Sequence, residues 1–386
     1  MIKQAIKTYR YKLNPTVAQA ETFGRWLGVS RVIYNLCLEY RQMMYRDHQI
    51  NVSVYDLKRE VTTLSKEYDW IKAVQSQVKQ DVCYRLDKAY KKFFSGGGFP
   101  KWAKRGKYTS FTFPQSIKVA GNKIWLPKIG WVKYRNSREF PEGATLKTAT
   151  VIECPDGWFV SVAFAYPPKS VPPREKQAVG IDMGIAQFAT TSEGEVITNP
   201  RHFDKHRSRI RVLQRKLARQ KKGGSNRKKT KNQLSKAWLK LANCRKDFLH
   251  KTSTYFADQY TDIIVEDLRL VNMIRSAKGT VEDPGKCVKA KSGLNRSMLD
   301  LGVGIFFEML AYKTTERGGT FEKVNPAYTS QTCNKCGYRS RDNRKSQAEF
   351  VCVKCGHEAN ADLNASENIL GRGSAFDHQR GAVAHA

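Results

Sequence analysis

Val179-Gly180-Ile181-Asp182-Met183-Gly184-Ile185-Ala186 is the stretch on which the reading of this chain turns. Its apolar run is short and ends on an acid, the pattern of a strand buried on both faces that delivers a carboxylate at its tip. A second apolar stretch, Phe188-Ala189, follows closely. Ile263-Ile264-Val265-Glu266-Asp267 repeats the form. A third acid, Asp362, opens the helical segment Asp362 to Leu370. Taken singly, each has an ordinary explanation: acids commonly end strands, and an aspartate in a first helical turn is stabilised by the helix dipole. Taken together, in a strongly basic chain, the three can converge on one point and hold two hard cations through oxygen ligands.

The basic character is large. Among 386 residues, 68 Lys and Arg face 35 Asp and Glu, a net charge of +33, which calls for a polyanionic partner. Charge alone is equally compatible with a ribosomal-type RNA binder or a protein lying on acidic membrane. A hydrophobic content of 40% excludes disorder throughout, and 11% aromatics point to a folded body that carries the charge. The length allows two or three domains. No apolar run reaches about 18 residues and the N-terminus lacks a signal-peptide pattern, so an intracellular, cytoplasmic location is expected.

Along the chain, residues 2 to 13 place Tyr9, Tyr11 and Leu13 on one face and Arg10 and Lys12 on the other, which predicts a half-buried strand. Asn14-Pro15 ends it. Thr16 with Gln19 forms a capping box for a helix whose apolar positions are Phe23, Leu27, Ile33, Tyr34 and Leu38. Further helix is predicted over 54–94, with Val74, Val78, Leu86 and Ala89 to Phe94 in its core, so 16–94 reads as a helical bundle. Ser95-Gly96-Gly97-Gly98 then acts as a hinge. Phe111 to Phe113, Ile124 to Leu126, Trp131-Val132 and Trp158 to Phe164 are short strand runs between turns, consistent with a small β-barrel. The first strand is expected to pair into that barrel, which makes the bundle an insertion.

Pro172-Pro173 marks a boundary. Beyond it, residues 201–251 carry 19 Lys or Arg against Asp204 and Asp247, an excess of 17, with Ile210, Leu213, Leu217, Leu234, Trp238 and Leu241 at helical spacing. Two helices broken at Gly223-Gly224 fit this pattern. So much positive charge repels itself unless phosphates lie along it.

Cys333-x-x-Cys336 and Cys352-x-x-Cys355 are separated by 15 residues, the spacing of a four-cysteine zinc site. Gly337 and Gly356 follow the second cysteine of each pair, where a knuckle needs positive φ. Four sulfurs leave no open position, so this single zinc is structural. Cys37, Cys83, Cys154, Cys244 and Cys287 are read as packing residues.

The chain at this point resembles the TnpB proteins of bacterial transposons, relatives of the compact type V CRISPR nucleases. The resemblance is carried by Gly180-Ile181-Asp182-Met183-Gly184, Val265-Glu266-Asp267-Leu268, Tyr328 to Gly337 and Ala361 to Ile369, in the family's order. Asn226-Arg227, Leu294-Asn295-Arg296-Ser297 and Phe99-Pro100-Lys101 add to it. Ala361 departs from the arginine that many relatives carry.

What the resemblance implies is an α/β and α+β multidomain protein. An RNase H-like RuvC nuclease domain (173–329 and 358–370) would hold an inserted zinc ribbon (330–357). A wedge β-barrel (1–15 and 95–172) would carry a helical recognition insertion (16–94), with a disordered tail at 371–386. It implies an RNA-guided DNA endonuclease acting beside a short duplex motif, with Asp182, Glu266 and Asp362 catalytic and holding two Mg²⁺, or Mn²⁺ in their place. The partners implied are a guide RNA from the transposon end and target DNA. No membrane partner is expected, the protein is expected to be a monomer, and on DNA it would be associated with the bacterial nucleoid. Arg207, Arg211, Arg215, Lys216, Arg219, Asn226, Arg227, Lys228 and Lys101 are candidate nucleic-acid contacts. Gln77 and Gln80, before the shared run Leu86 to Tyr90, are candidate motif readers because glutamine pairs with adenine in the major groove. An ordinary polar role on a solvated helix fits these two glutamines equally.

Two other readings compete: a guided DNA binder without cleavage, and a zinc-ribbon RNA binder without catalysis. Retention of all three acids favours the nuclease. Strand transfer by this chain alone is not expected.

Overall fold

The alternation around Tyr9 forms strand β1 (Ala5–Asn14) in the computed structural model of the chain, which describes residues 5–167, 176–346 and 348–373. The expected break at Pro172-Pro173, and residues 374–386 of the expected 371–386 tail, lie outside the described residues, while Gly371 ends the last helix rather than beginning a tail. The chain divides into two compact units, residues 1–168 and 169–386.

In the first unit, Tyr11 and Leu13 are buried while Arg10 and Lys12 are exposed. Helix α1 (Val17–His48) starts at the predicted capping box, with the Gln19 amide donating to Thr16 Oγ1 at 3.3 Å and the Thr16 amide donating to Gln19 Oε1 at 3.0 Å. Helix α2 (Val54–Glu67) uses Ser53 and Asp56 in the same way. Two more follow, α3 (Asp69–Lys72) and α4 (Ser76–Phe94), the latter capped by Gln75. Their shared core contains Ile33, Leu38, Leu57, Val61, Val82 and Leu86. Phe94, expected in that core, is instead 70% exposed, because it lies in the last turn of α4 and meets the rings of Tyr90 and Phe93 at the rim. Cys37 and Cys83 do pack in the bundle core, whereas Cys154 and Cys244 are half-buried and Cys287 is exposed.

Six strands complete the unit: β2 (Ser110–Phe113), β3 (Lys118–Ala120), β4 (Lys123–Leu126), β5 (Gly130–Tyr134), β6 (Thr145–Cys154) and β7 (Gly157–Tyr166). With β1 they make a seven-stranded sheet of order β2-β6-β7-β1-β5-β4-β3. β1 joins its two halves, antiparallel to β7 from Ala5↔Tyr166 to Lys12↔Phe159 and to β5 at Leu13↔Tyr134. The end strands β2 and β3 are not neighbours, so the barrel is open. One hydrophobic cluster fills it, with Tyr11, Phe111, Phe113, Ile124, Val132, Val151 and Val160 among its members. Arg85 of α4 ties the helices to this sheet, donating to Ser110 O at 2.8 Å and Thr112 Oγ1 at 2.7 Å.

The second unit opens with β8 (Lys176–Met183), β9 (Gln187–Thr191) and β10 (Val196–Thr198). Two long helices, α5 (His202–Arg219) and α6 (Ser225–Gln259), break at the predicted glycines and pack through Ile210, Ala237 and Leu241. Trp238, expected in that seam, is 40% exposed and sits beside Phe203. Then come β11 (Tyr260–Glu266), α7 (Leu270–Met273), α8 (Val288–Leu301), α9 (Val303–Glu316), β12 (Thr320–Val324), β13 (Glu349–Val351), β14 (Glu358–Asn360) and α10 (Ala361–Gly371).

The sheet order is β10-β9-β8-β11-β12, antiparallel across β10, β9 and β8 and parallel across β8, β11 and β12. This is the RNase H-like arrangement. Strand parity sorts its two faces. Val179, Ile181, Ile263 and Val265 pack with Phe256 of α6 and Phe306 of α9, while Ile264 turns the other way to meet Ile369 of α10. Helices therefore cover both faces, which is why these strands read as continuous apolar runs.

Candidate active site

β8 and β11 are parallel neighbours with Ile181 opposite Val265, a register that sets Asp182 level with Glu266. Asp362 arrives from the other side, in the first turn of α10, where Asn360 Oδ1 accepts from the amides of Asp362 at 2.9 Å and Leu363 at 3.3 Å. α10 reaches β8 because Gly180 has no side chain: a Cβ there would lie 2.2 Å from Ser366 O and 2.6 Å from Leu370 N.

Asp182 feels both of the other acids. Burial, then the charges of Glu266 and Asp362, push the Asp182 carboxyl up to about 7, against an opposing pull from Arg344. Burial also raises Glu266, opposed by a hydrogen bond from the Thr329 hydroxyl, and raises Asp362, opposed by Arg344. Arg344 Nη2 stands 3.7 Å from Asp362 Oδ1. The carboxylates do not form a closed single-ion shell: among the described residues, the group whose ligand atoms gather within 4.8 Å is the four cysteines. A hard, all-oxygen donor set with a buried acid held near neutral pH fits divalent cations, whose charge would offset the repulsion.

The ribbon fits zinc. Cys333 Sγ lies 3.7 Å from Cys355 Sγ, and Cys336 Sγ lies 3.6 Å from Cys352 Sγ. A tetrahedron with zinc–sulfur bonds of ~2.3 Å has edges of roughly 3.8 Å. Gly337 and Gly356 both take φ of 71°, as the knuckles require. Phe350 and Ala361 pack against the buried Cys333 and Cys352, so the ribbon's core is small and would lean on a bound zinc. Cys355→Ser, or a strong zinc chelator, is therefore expected to release about one zinc per chain and to expose 330–360 to protease while the core of the first unit stays protected. Zinc release and limited proteolysis read this together.

The charged candidates divide. Arg207, Arg211, Arg215, Lys216, Arg219, Asn226, Lys228 and Lys101 are exposed, as contacts to a polyanion require. Arg227 is half-buried, and its Nη1 donates to the carbonyls of Leu217 and, at 2.9 Å, Gln220, closing the end of α5 that has no continuing helix. Gln80 lines a groove of about 660 Å³ with Tyr55, Lys58, Arg59, Thr62 and Thr63. Gln77 is absent from that wall and half-buried, with Oε1 sequestered without a hydrogen-bond partner. Sequence reading missed Tyr55, Lys58 and Arg59, whose only signal was basic and aromatic spacing on α2. It also missed Arg344, an unremarkable basic residue of the ribbon until the fold brings it to Asp362.

Comparison with known proteins bears on the family and the fold. Residues 161–277 match a family described as "Probable transposase", and residues 304–369 match the "Cas12f1-like, TNB domain". Residues 1–49 match a "Helix-turn-helix domain", although they fold here as β1 and the unbroken α1. A Cas12f1 structure solved with sgRNA and target DNA covers 95% of this chain and 98% of its own, with a TM-score of 0.57 at 15% identity, so the fold is shared. A protein of Escherichia coli (strain K12) named as an RNA-guided DNA endonuclease, InsQ, is 36% identical over 378 residues, covering 96% of this chain and 93% of its own. Another so named from Streptomyces pristinaespiralis is 30% identical over 388 residues, covering 97% and 91%. Likeness of that extent, carried on this fold, makes the chain a member of the TnpB family of RNA-guided DNA endonucleases.

Proposed function

We propose that this chain is an active transposon-encoded nuclease that cuts double-stranded DNA beside a short motif, guided by RNA from the transposon end. The observation that carries the reading is the convergence of Asp182, Glu266 and Asp362 from β8, β11 and α10, each raised by burial and Asp182 also by the other two acids. These carboxylates would hold two Mg²⁺, with Mn²⁺ able to substitute. Bound there, such ions supply Lewis-acid charge for an attacking water and a leaving oxygen. The chain's own contribution is to fix the acids on rigid elements and to set Arg344 beside Asp362, a guanidinium placed to meet a phosphate. Base pairing would read sequence while Lys101 and the exposed basic residues of α5 and α6 follow the backbone. Gln80, with its groove, would be a candidate reader of the duplex motif.

The test is the chain co-expressed with RNA from its own locus, given supercoiled plasmid bearing a target. Mg²⁺-dependent linearisation, absent for Asp182→Asn, is the expected outcome. Guided binding without cleavage would replace this reading with a DNA-binding repressor, and RNA binding alone with a zinc-ribbon RNA protein. On the basic helices, Arg211→Ala and Arg215→Ala are each expected to flatten the dependence of log affinity on log salt by about one. Filter binding across a salt series measures that slope.

A further inference from the structure

Helix α10 carries a second device besides Asp362. Asn364, Asn368 and Arg372 recur every fourth residue, on one face of its turns. Each grips the backbone of the segment that leads from β12 into the ribbon. Asn364 Nδ2 donates to Thr332 O at 2.9 Å, and its Oδ1 accepts from the Asn334 amide at 3.0 Å. Asn368 Nδ2 donates to Thr329 O at 2.9 Å and to Thr332 O at 2.7 Å. Arg372 Nη1 donates to Asn325 O at 2.7 Å and Ala327 O at 2.9 Å. The segment held in this way presents Thr329, 3% exposed, to Glu266, with its hydroxyl donating to Glu266 Oε1. Pro326 O, 3.1 Å from the same hydroxyl, is the competing acceptor, and an ionised carboxylate is the stronger of the two.

We infer that Thr329 is the positioning residue for Glu266, and that the Asn364, Asn368 and Arg372 ladder sets where Thr329 stands. The inference rests on the proposed metal-dependent reading of the acids. The hydroxyl ties down Oε1 and so restrains the carboxylate's rotation, and Glu266 would meet a cation in the orientation this bond sets. One helix then delivers the third acid directly and orients the second, which β11 positions, through the loop it clamps. Outer partners of this kind typically change metal affinity or activity by 10–100-fold when removed.

The test is Mn²⁺ binding to the full-length chain by isothermal titration, with Asp182→Asn subtracted as background, alongside cleavage by the RNA-bound complex. Thr329→Val is expected to weaken the Asp182-dependent binding by about 10–100-fold and to slow cleavage at saturating DNA without changing DNA affinity. Thr329→Ser restores both. Asn368→Ala is expected to weaken Mn²⁺ binding in the same direction, and combined with Thr329→Val to cost no more than Thr329→Val alone. Wild-type affinity in both Thr329→Val and Asn368→Ala, or full additivity of the pair, overturns the inference and leaves the nuclease reading standing. If Thr329→Val does not fold, Asn368→Ala decides by the same titration. Absence of Asp182-dependent Mn²⁺ binding in the wild type overturns both.

Discussion

Asp182→Asn should abolish cleavage and, in the presence of chelator, make the protein harder to melt. The first effect is a loss on the order of 10³-fold or more, equivalent to at least about 4 kcal/mol of transition-state stabilisation. The second follows from the carboxyl being pushed up to about 7 by burial and by its two acidic neighbours. Unfolded, an aspartate releases its proton near ~3.9. Between those values the folded chain binds more protons than the unfolded one, so stability falls as pH rises through the window. The span of about three pH units corresponds to a few kcal/mol at most. Asparagine cannot ionise. Its advantage should be absent below about pH 4, grow up to about pH 7 and stay constant above, a difference of several degrees in Tm at pH 8. Melting curves in EDTA at pH 5 and pH 8 check this, and an equal difference at both would rule it out.

Gly180→Ala carries the other large effect. The added Cβ would meet backbone on α10, 2.2 Å from Ser366 O and 2.6 Å from Leu370 N, with no flexible side-chain end to yield. Either β8 or α10 must shift, at a cost of roughly 3 kcal/mol. Any shift of α10 moves Asp362 and the ladder together, so cleavage should fail even in the fraction that folds. Gly28→Ala, a helical glycine with nothing within 4 Å of its new Cβ, is the matching control and should leave stability unchanged or slightly raised. Urea midpoints of the two variants separate close packing from a general intolerance of alanine.

The features legible in the sequence share one property: local chemistry decides them. The Thr16–Gln19 capping box, the two cysteine knuckles and the apolar runs ending at Asp182 and Glu266 are each set within a few residues. β6 is hard to see, because only Ala149 and Val151 are fully buried and four of its first six residues, Thr145, Lys147, Thr148 and Thr150, are polar. β12 is half polar and leaves only Val324 fully buried. Phe94 and Trp238 follow helical spacing yet fall at a rim, since periodicity gives the face of a helix but not where its partner ends. Arg344, Thr329 and the α10 ladder belong to contacts between segments that only the fold brings together. The two glutamines separate for the same reason: position 80 faces the groove, whereas position 77 turns into the protein.

The pairing of Ala5 with Tyr166 has a consequence for how the chain is made. Ribosomes add about 5–20 residues per second, so roughly 150 residues of synthesis separate β1 from its partner β7 by on the order of ten seconds. The helices between them are built on local contacts and can form during that wait, whereas the strand cannot be matched until the far side of its sheet has emerged. Through this interval β1 is a nascent edge with one apolar face. Arg10 and Lys12, alternating with Tyr9, Tyr11 and Leu13, supply the charge that discourages two newborn chains on one message from pairing through it.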